Sequence, residues 1–133
     1  MVVGIGIDSV EVSRFFLWNT FKTEKLIRIF SEQEIEYCLH EKHKSSERFA
    51  VRFAAREAFF KALGYLDTSK TIPFLTLCKK IRVEKNTTGI PHLIIDWKEI
   101  GRQLAVDTTG LNAFISLTHT KESATAVVVL EKR

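Results

Sequence analysis

Two carboxylates in this 133-residue chain stand where chemistry is possible. Asp8 ends the segment VVGIGID, and Glu57, in RFAAREAFFKALG, falls within or beside the apolar stripe that Phe49, just before that segment, marks with Phe53 and Phe60. A strand-end carboxylate that met a helix carboxylate would share a hard cation, and oxygen donors without a Cys or His cluster suit Mg²⁺ rather than zinc. Magnesium takes one or two protein carboxylates and completes its shell with water and substrate phosphate, so two are enough. Arg52, Arg56 and Lys61 on the same helix would then hold phosphate oxygens, and such a set suits phosphoryl transfer. A plainer alternative pairs Glu57 with Lys61 as an ordinary i,i+4 contact on a solvent face, worth about 0.2–0.5 kcal/mol. Spacing alone leaves both open.

His119 closes an apolar strand in SLTHT, where a lone histidine is more often a structural hydrogen-bonding group than a catalytic one. The phosphate loop G-x-x-x-x-G-K-[ST] is absent, GIGID lacks the third glycine of a dinucleotide fingerprint, and there is no G-x-S-x-G elbow.

The elements that must position these residues follow from periodicity. Residues 2 to 8 alternate as a strand with Val3, Ile5 and Ile7 on one face and Gly4, Gly6 and Asp8 on the other. The bare glycine face admits a ligand or another backbone, or marks a bulge. Glu11 to about Ile29 reads as helical with a break near Asn19 and Thr20. Ser31 and Glu34 form a capping box for a second helix, and a third, longer helix runs from Glu47 to Leu63 and stops at Gly64. An irregular stretch from Tyr65 to Lys80 precedes a hairpin, KIRVEK and IPHLII around NTTG. Asp96 and Glu99 cap a short helix to about Val106, and strands near 113 to 118 and 124 to 131 flank a turn containing His119 and Lys121. This order predicts an α+β fold, one small domain over 1–133 with an antiparallel sheet packed against a long helix.

A chain of this size with 45% hydrophobic residues can bury one core without disulfides. The net charge of +4 favours an anionic partner without naming it. Cys38 and Cys78 lie far apart with no metal-ligand spacing, which reads as buried free thiols in a reducing, cytoplasmic setting. Met1 to Ile7 is too short for a signal peptide and lacks a basic start, and no run reaches the roughly 18 apolar residues of a membrane span, so no membrane partner is expected.

Taken together, GIGIDSVEVSR, RFAAREAFFKALG and ISLTHTKESATAVVVLE, with Gly89 and Pro91 between the last two, resemble the holo-acyl-carrier-protein synthase family over nearly the whole chain. The resemblance implies a 4'-phosphopantetheinyl transferase of fatty acid biosynthesis. In that reaction a serine of acyl carrier protein attacks the β-phosphate of coenzyme A, phosphopantetheine is transferred, and 3',5'-ADP leaves. By position, Asp8 and Glu57 would bind Mg²⁺ and Lys61 would sit against the phosphates. Arg52 and His119 would serve the adenosine 3'-phosphate, Thr120 would lie near the adenine, and Gly64 would contact coenzyme A. The serine proton would leave through Glu57 or a metal-bound water. The first helix would dock the carrier protein through Arg14, Lys22, Lys25 and Arg28; among Phe15, Phe16, Trp18 and Phe21, either some form an exposed anchor or all four are core or subunit contacts. The family is typically a homotrimer with sites at subunit interfaces.

Two departures stand out. Arg56 occupies a position where Lys is common, keeping the charge, and YLDTSKTIPFLTLCKK replaces the glycine-rich stretch usual after the third helix, along the expected path of the pantetheine arm. A nucleotide- or RNA-binding module is the competing class, but mostly aliphatic strand segments argue against a base-stacking sheet, and no nucleic acid is expected. A carrier protein of polyketide or peptide synthesis is the alternative within the family.

Overall fold

The computed structural model describes residues 1–133. Strand β1 spans Val2–Glu11, so Asp8 lies inside a strand and not at its end: Ser9, Val10 and Glu11 continue the pairing with Thr125, Ala124 and Ser123. Three-stranded sheet order is β1-β5-β4, with β4 Leu111–His119 and β5 Ser123–Lys132, all antiparallel. His119 is therefore the last paired residue of β4, opposite Ala124, and not a turn residue.

The region from Glu11 to Ile29 departs from its helical reading. It folds as 3-10 turns at Val12–Phe15 and Trp18–Thr20 and a single α turn, α1, at Thr23–Leu26. Aromatic, β-branched and small polar residues are poor helix formers, and tertiary packing takes over. The Trp18 ring meets Phe15 at 4.5 Å, Phe21 at 5.7 Å and Phe30 at 6.0 Å between centroids, pinning the chain without a continuous helix.

Helix α2, Glu32–His40, has the full capping box: Ser31 Oγ accepts from the Glu34 N–H, and Glu34 Oε1 accepts from the Ser31 N–H. Helix α3, Ser45–Leu63, starts two residues earlier than its sequence reading and ends at Gly64. The stretch after it hides a short helix, α4 Phe74–Cys78, anchored by buried Leu77 and Cys78. Strands β2 Ile81–Lys85 and β3 Pro91–Ile95 pair as the expected hairpin. Helix α5, Trp97–Leu104, is capped by Asp96 accepting from the Glu99 N–H and is closed by left-handed Ala105, so it ends two residues short of Val106.

The close contact of the molecule is α3 on β1. A Cβ on Gly6 would lie 1.8 Å from the Ala58 carbonyl oxygen, and one on Gly4 would lie 2.5 Å from that of Ala62. Of the three readings of the glycine face, the structure shows approach by another backbone, together with a register irregularity between Val2 and Gly4. Ala54, Ala58 and Ala62, one turn apart and fully buried, supply the matching small residues on the helix. Opposite this layer, the outer sheet face carries Ile5, Ile7 and Phe114, which are 50%, 59% and 51% exposed.

A second tie runs through the core. Arg56 and Glu34 are fully buried, with Arg56 Nη1 donating to Glu34 Oε2 at 2.9 Å and Nη2 to Oε1 at 2.6 Å. Arg56 also donates to the carbonyls of Cys78 and Ile81, so one side chain joins α2, α3, α4 and β2. This corrects its expected role on a phosphate: all of its donor capacity is spent inside the protein.

Candidate active site

Seating α3 on the two glycines brings three predicted residues together. Lys61 Nζ lies 3.1 Å from Asp8 Oδ1 and donates also to the Ile7 carbonyl at 3.0 Å. Lys61 thus pairs with Asp8, across elements, where the plain reading had it paired with Glu57. The other Asp8 oxygen, Oδ2, is buried with no hydrogen-bond partner. Such an atom is costly unless something electropositive meets it. Glu57 completes the cluster: burial first, then the negative charge of Asp8, push its pKa up, while Lys61 and Arg14 pull it the other way. That coupling places Asp8 and Glu57 within electrostatic reach of each other. No third Asp, Glu, His or Cys joins them. An orphaned carboxylate oxygen with a second carboxylate in electrostatic reach fits Mg²⁺, which needs few protein ligands, better than zinc.

Farther along α3 lies a cationic cleft of about 390 Å³, lined by Arg52, His119, Arg48, Lys85 and Tyr37 among others. Arg52 is 5% exposed, lacks any carboxylate partner, and leaves Nε buried and unpartnered; Nη1 donates only to the Arg48 carbonyl at 3.3 Å. His119 lies 3.4 Å from Glu47. Asp8 and His119 share the sheet face toward α3, two strands apart and two residues along. At standard strand spacings the separation is about 12 Å, the scale of a nucleotide.

Other predicted residues fall elsewhere. Thr120 uses its hydroxyl to accept from the N–H groups of Glu122 and Ser123 in the β4–β5 turn. Gly64 lines a separate, mostly apolar pocket of about 170 Å³ with Leu63, Leu66 and Ile72. Arg14 lays its guanidinium 4.8 Å from the Phe53 ring centroid, close enough to influence Glu57. Lys22, Lys25 and Arg28 are exposed. Phe15 is core, and Trp18 and Phe21 pack on it; the exposed apolar pair is Phe16 at 60% and Leu17 at 69%. Sequence reading missed Leu17, Tyr37, Arg48 and Lys85. The i,i+4 spacing of Arg48 and Arg52 was a signal for one of them, but nothing local pointed to Lys85, which reaches the cleft from β2.

Paired carboxylates beside a lysine, with a basic cleft one nucleotide away, define a protein suited to a phosphate-bearing nucleotide ligand. Residues 4–127 match the family model described as the 4'-phosphopantetheinyl transferase superfamily. The chain is 40% identical over 131 residues to the holo-[acyl-carrier-protein] synthase of Treponema denticola, covering 98% of this chain and 99% of that one. It is 37% identical over 133 residues to that of Geobacter sulfurreducens, at 99% of each chain. Among solved structures, the holo-(acyl-carrier-protein) synthase of Bacillus anthracis in complex with CoA (3',5'-ADP) superposes with a TM-score of 0.72 at 34% identity, covering 100% of this chain and 99% of that one. The Helicobacter pylori enzyme in complex with coenzyme A gives 0.69 at 29% identity, covering 96% and 99%. The chain belongs to the 4'-phosphopantetheinyl transferase superfamily and, within it, to the holo-[acyl-carrier-protein] synthases, which makes it an enzyme.

Proposed function

We propose that this chain moves 4'-phosphopantetheine from coenzyme A to a serine of apo acyl carrier protein, releasing 3',5'-ADP, with Mg²⁺ and in fatty acid biosynthesis. The observation that carries the reading is the contact of Lys61 with Asp8, whose other carboxylate oxygen is unpartnered, with Glu57 in electrostatic reach. The coenzyme A named with the Bacillus anthracis and Helicobacter pylori structures supports the nucleotide.

Asp8 Oδ2 and Glu57 would hold the Mg²⁺. When bound, the ion supplies charge neutralisation on the pyrophosphate oxygens. Lys61, already fixed by Asp8 and the Ile7 carbonyl, adds a positive charge beside the same oxygens. Arg52 and His119 bind the adenosine 3'-phosphate and so orient the β-phosphate toward the incoming serine, an entropic contribution to the rate. Thr120, exposed at the next turn, borders the adenine, and Gly64 the far end of coenzyme A. Glu57 takes no hydrogen bond from the protein and is available to receive the serine proton.

The active form is a homotrimer. Ile5, Val129 and Phe114 lie in one cross-strand row of the outer sheet face, a hydrophobic surface that another copy would cover. Carrier docking falls to Lys22, Lys25 and Arg28 beside Phe16 and Leu17. Two buried, unpaired cysteines support a cytoplasmic setting, and no helix is long and apolar enough to cross a membrane.

Intact-mass spectrometry of apo acyl carrier protein incubated with this protein, coenzyme A and Mg²⁺, against an EDTA control, tests the reading. A gain of one phosphopantetheine only with metal is expected. No gain on several carrier proteins, with the enzyme folded, would overturn it.

A further inference from the structure

Arg52 presents an energetic problem that its own helix does not solve. A guanidinium buried to 5% exposure without a counter-ion bears a desolvation cost, and one of its nitrogens has no partner at all. What holds it is Tyr37, on α2. The Arg52 Cζ lies 4.5 Å from the Tyr37 ring centroid, the Arg48 Cζ 4.1 Å and the Lys85 Nζ 5.2 Å, so three cations from α3 and β2 converge on one aromatic ring. Lys85 Nζ also donates to the Tyr37 hydroxyl at 3.1 Å, and Arg48 Nη1 to the Tyr37 carbonyl at 2.8 Å. Burial opposes ionisation of the Tyr37 phenol, but the Lys85 hydrogen bond and the Lys85, Arg48 and Arg52 charges outweigh it and bring its pKa below the ordinary value.

The cations differ in what they have left to give. Arg48 is neutralised by Glu41 at 3.2 Å, whereas Arg52 and Lys85 have no carboxylate partner and both line the cleft that also holds His119. With Arg48 paired, Arg52 and Lys85 leave uncompensated positive charge at the ring, which repels itself unless an anion joins it. A dianionic group such as a phosphate monoester would relieve that repulsion.

Resting on the coenzyme A reading above, we infer that Tyr37 is a positioning residue: its ring holds the Arg52 guanidinium and its hydroxyl holds Lys85 so that both meet the 3'-phosphate. Tyr37 itself need not touch the substrate. Its contribution is to KM for a nucleotide carrying that phosphate, and not to the transfer step.

The test compares coenzyme A with 3'-dephospho-coenzyme A as donors for wild type, Tyr37→Leu, Tyr37→Phe and Lys85→Met. Tyr37→Leu is expected to raise KM for coenzyme A about fivefold, leaving kcat and the KM for the dephospho donor in place. Tyr37→Phe, which keeps the ring, should rescue most of the preference, and Lys85→Met should lose a smaller part. A folded Tyr37→Leu protein that keeps the whole wild-type preference overturns the inference. Should that variant not fold, Lys85→Met, at an exposed position, decides in the same way. A wild type that modifies its carrier equally well from both donors overturns it through the cleft assignment, whereas no transfer from either donor is a failure of the proposed function itself.

Discussion

Glu34 and Arg56 face each other across the core as a forked ion pair, Nη2 to Oε1 at 2.6 Å and Nη1 to Oε2 at 2.9 Å, with neither side chain reached by solvent. Glu34 also accepts from the N–H groups of Ser31 and Val83, so the pair closes the α2 capping box and the start of β2 at once. Breaking one side leaves the other charge buried and alone. Arg56→Met should therefore cost about 3–5 kcal/mol, read as a lowered urea midpoint with m unchanged. Arg56→Lys, a point charge in place of a fork with four acceptors, should fall between. An unfolding free energy equal to wild type in both would show the pair to be dispensable.

The same carboxylate gives the protein an acid-sensitive contribution. Burial alone would raise the Glu34 pKa, but the Arg56 hydrogen bond and charge, helped by the two backbone N–H groups, hold it below its ordinary 4.5. A group depressed on folding stabilises above its unfolded value and loses that stabilisation as pH falls through the native one. Urea midpoints measured from pH 7 downward should decline below about pH 4.5 by more in wild type than in a Glu34→Gln, Arg56→Met double variant, with parallel declines excluding Glu34 as the source.

Gly6 offers a sharper test of how the site is assembled. Its missing side chain leaves room for the Ala58 carbonyl, 1.8 Å from where a Cβ would stand, and a backbone oxygen cannot step aside. Gly6→Ala must lift β1 from α3, costing about 1–3 kcal/mol or more and drawing Asp8 away from Glu57 and Lys61. Gly64→Ala, whose only near atom is at 3.1 Å and whose backbone is right-handed, should cost less stability than Gly6→Ala. Activity lost in Gly6→Ala, with calorimetry showing the larger loss of stability there, is the expected pattern.

Asp8 and Glu57 also share an electrostatic signature that is readable without turnover. Burial leads the rise of the Glu57 pKa and the Asp8 charge adds to it, so Asp8→Asn should lower that pKa. Carboxyl-resolved NMR titration in EDTA measures it directly. A Glu57 titration unmoved by the substitution would place the two groups out of reach of each other and remove the shared metal site. Mg²⁺ binding by the same variant should be weakened or lost.

The parts that were legible in the chain were those with local causes. Ser31 with Glu34, Asp96 with Glu99 and the Phe- and Ala-rich run ending at Gly64 marked α2, α5 and α3 because caps and periodicity act within a few residues. The hairpin around Asn86 to Gly89 was legible for the same reason. The segment after Glu11 was not, since Trp18 chooses its conformation through rings from Phe30, Phe49 and Phe53, which are distant in sequence. Nor was the fate of Arg56, whose partner lies 22 residues away on another helix. Asp8, Glu57 and Lys61 stood out by type, and the glycine contacts on α3 explain why Lys61 reaches Asp8.

On the proposed function, carrier recognition should be separable from coenzyme A recognition, because the basic residues near the N-terminus fall into two groups. Arg14 lies over Phe53 within electrostatic reach of Glu57, so reversing its charge would disturb the proposed catalytic cluster and would not report docking alone. Lys25 stands over the Phe21 ring at 4.0 Å and is exposed, as are Lys22 and Arg28, with Phe16 and Leu17 open to solvent nearby in the chain. An acidic partner steered to such a surface responds to charge in its association rate and to salt in its affinity. Lys25→Glu combined with Arg28→Glu should raise KM for the carrier protein several-fold, flatten its dependence on salt, and leave KM for coenzyme A unchanged. Arg14→Glu should instead lower kcat. Equal effects of both changes on the two KM values would mean that this face only supports the core, and docking would have to be sought elsewhere.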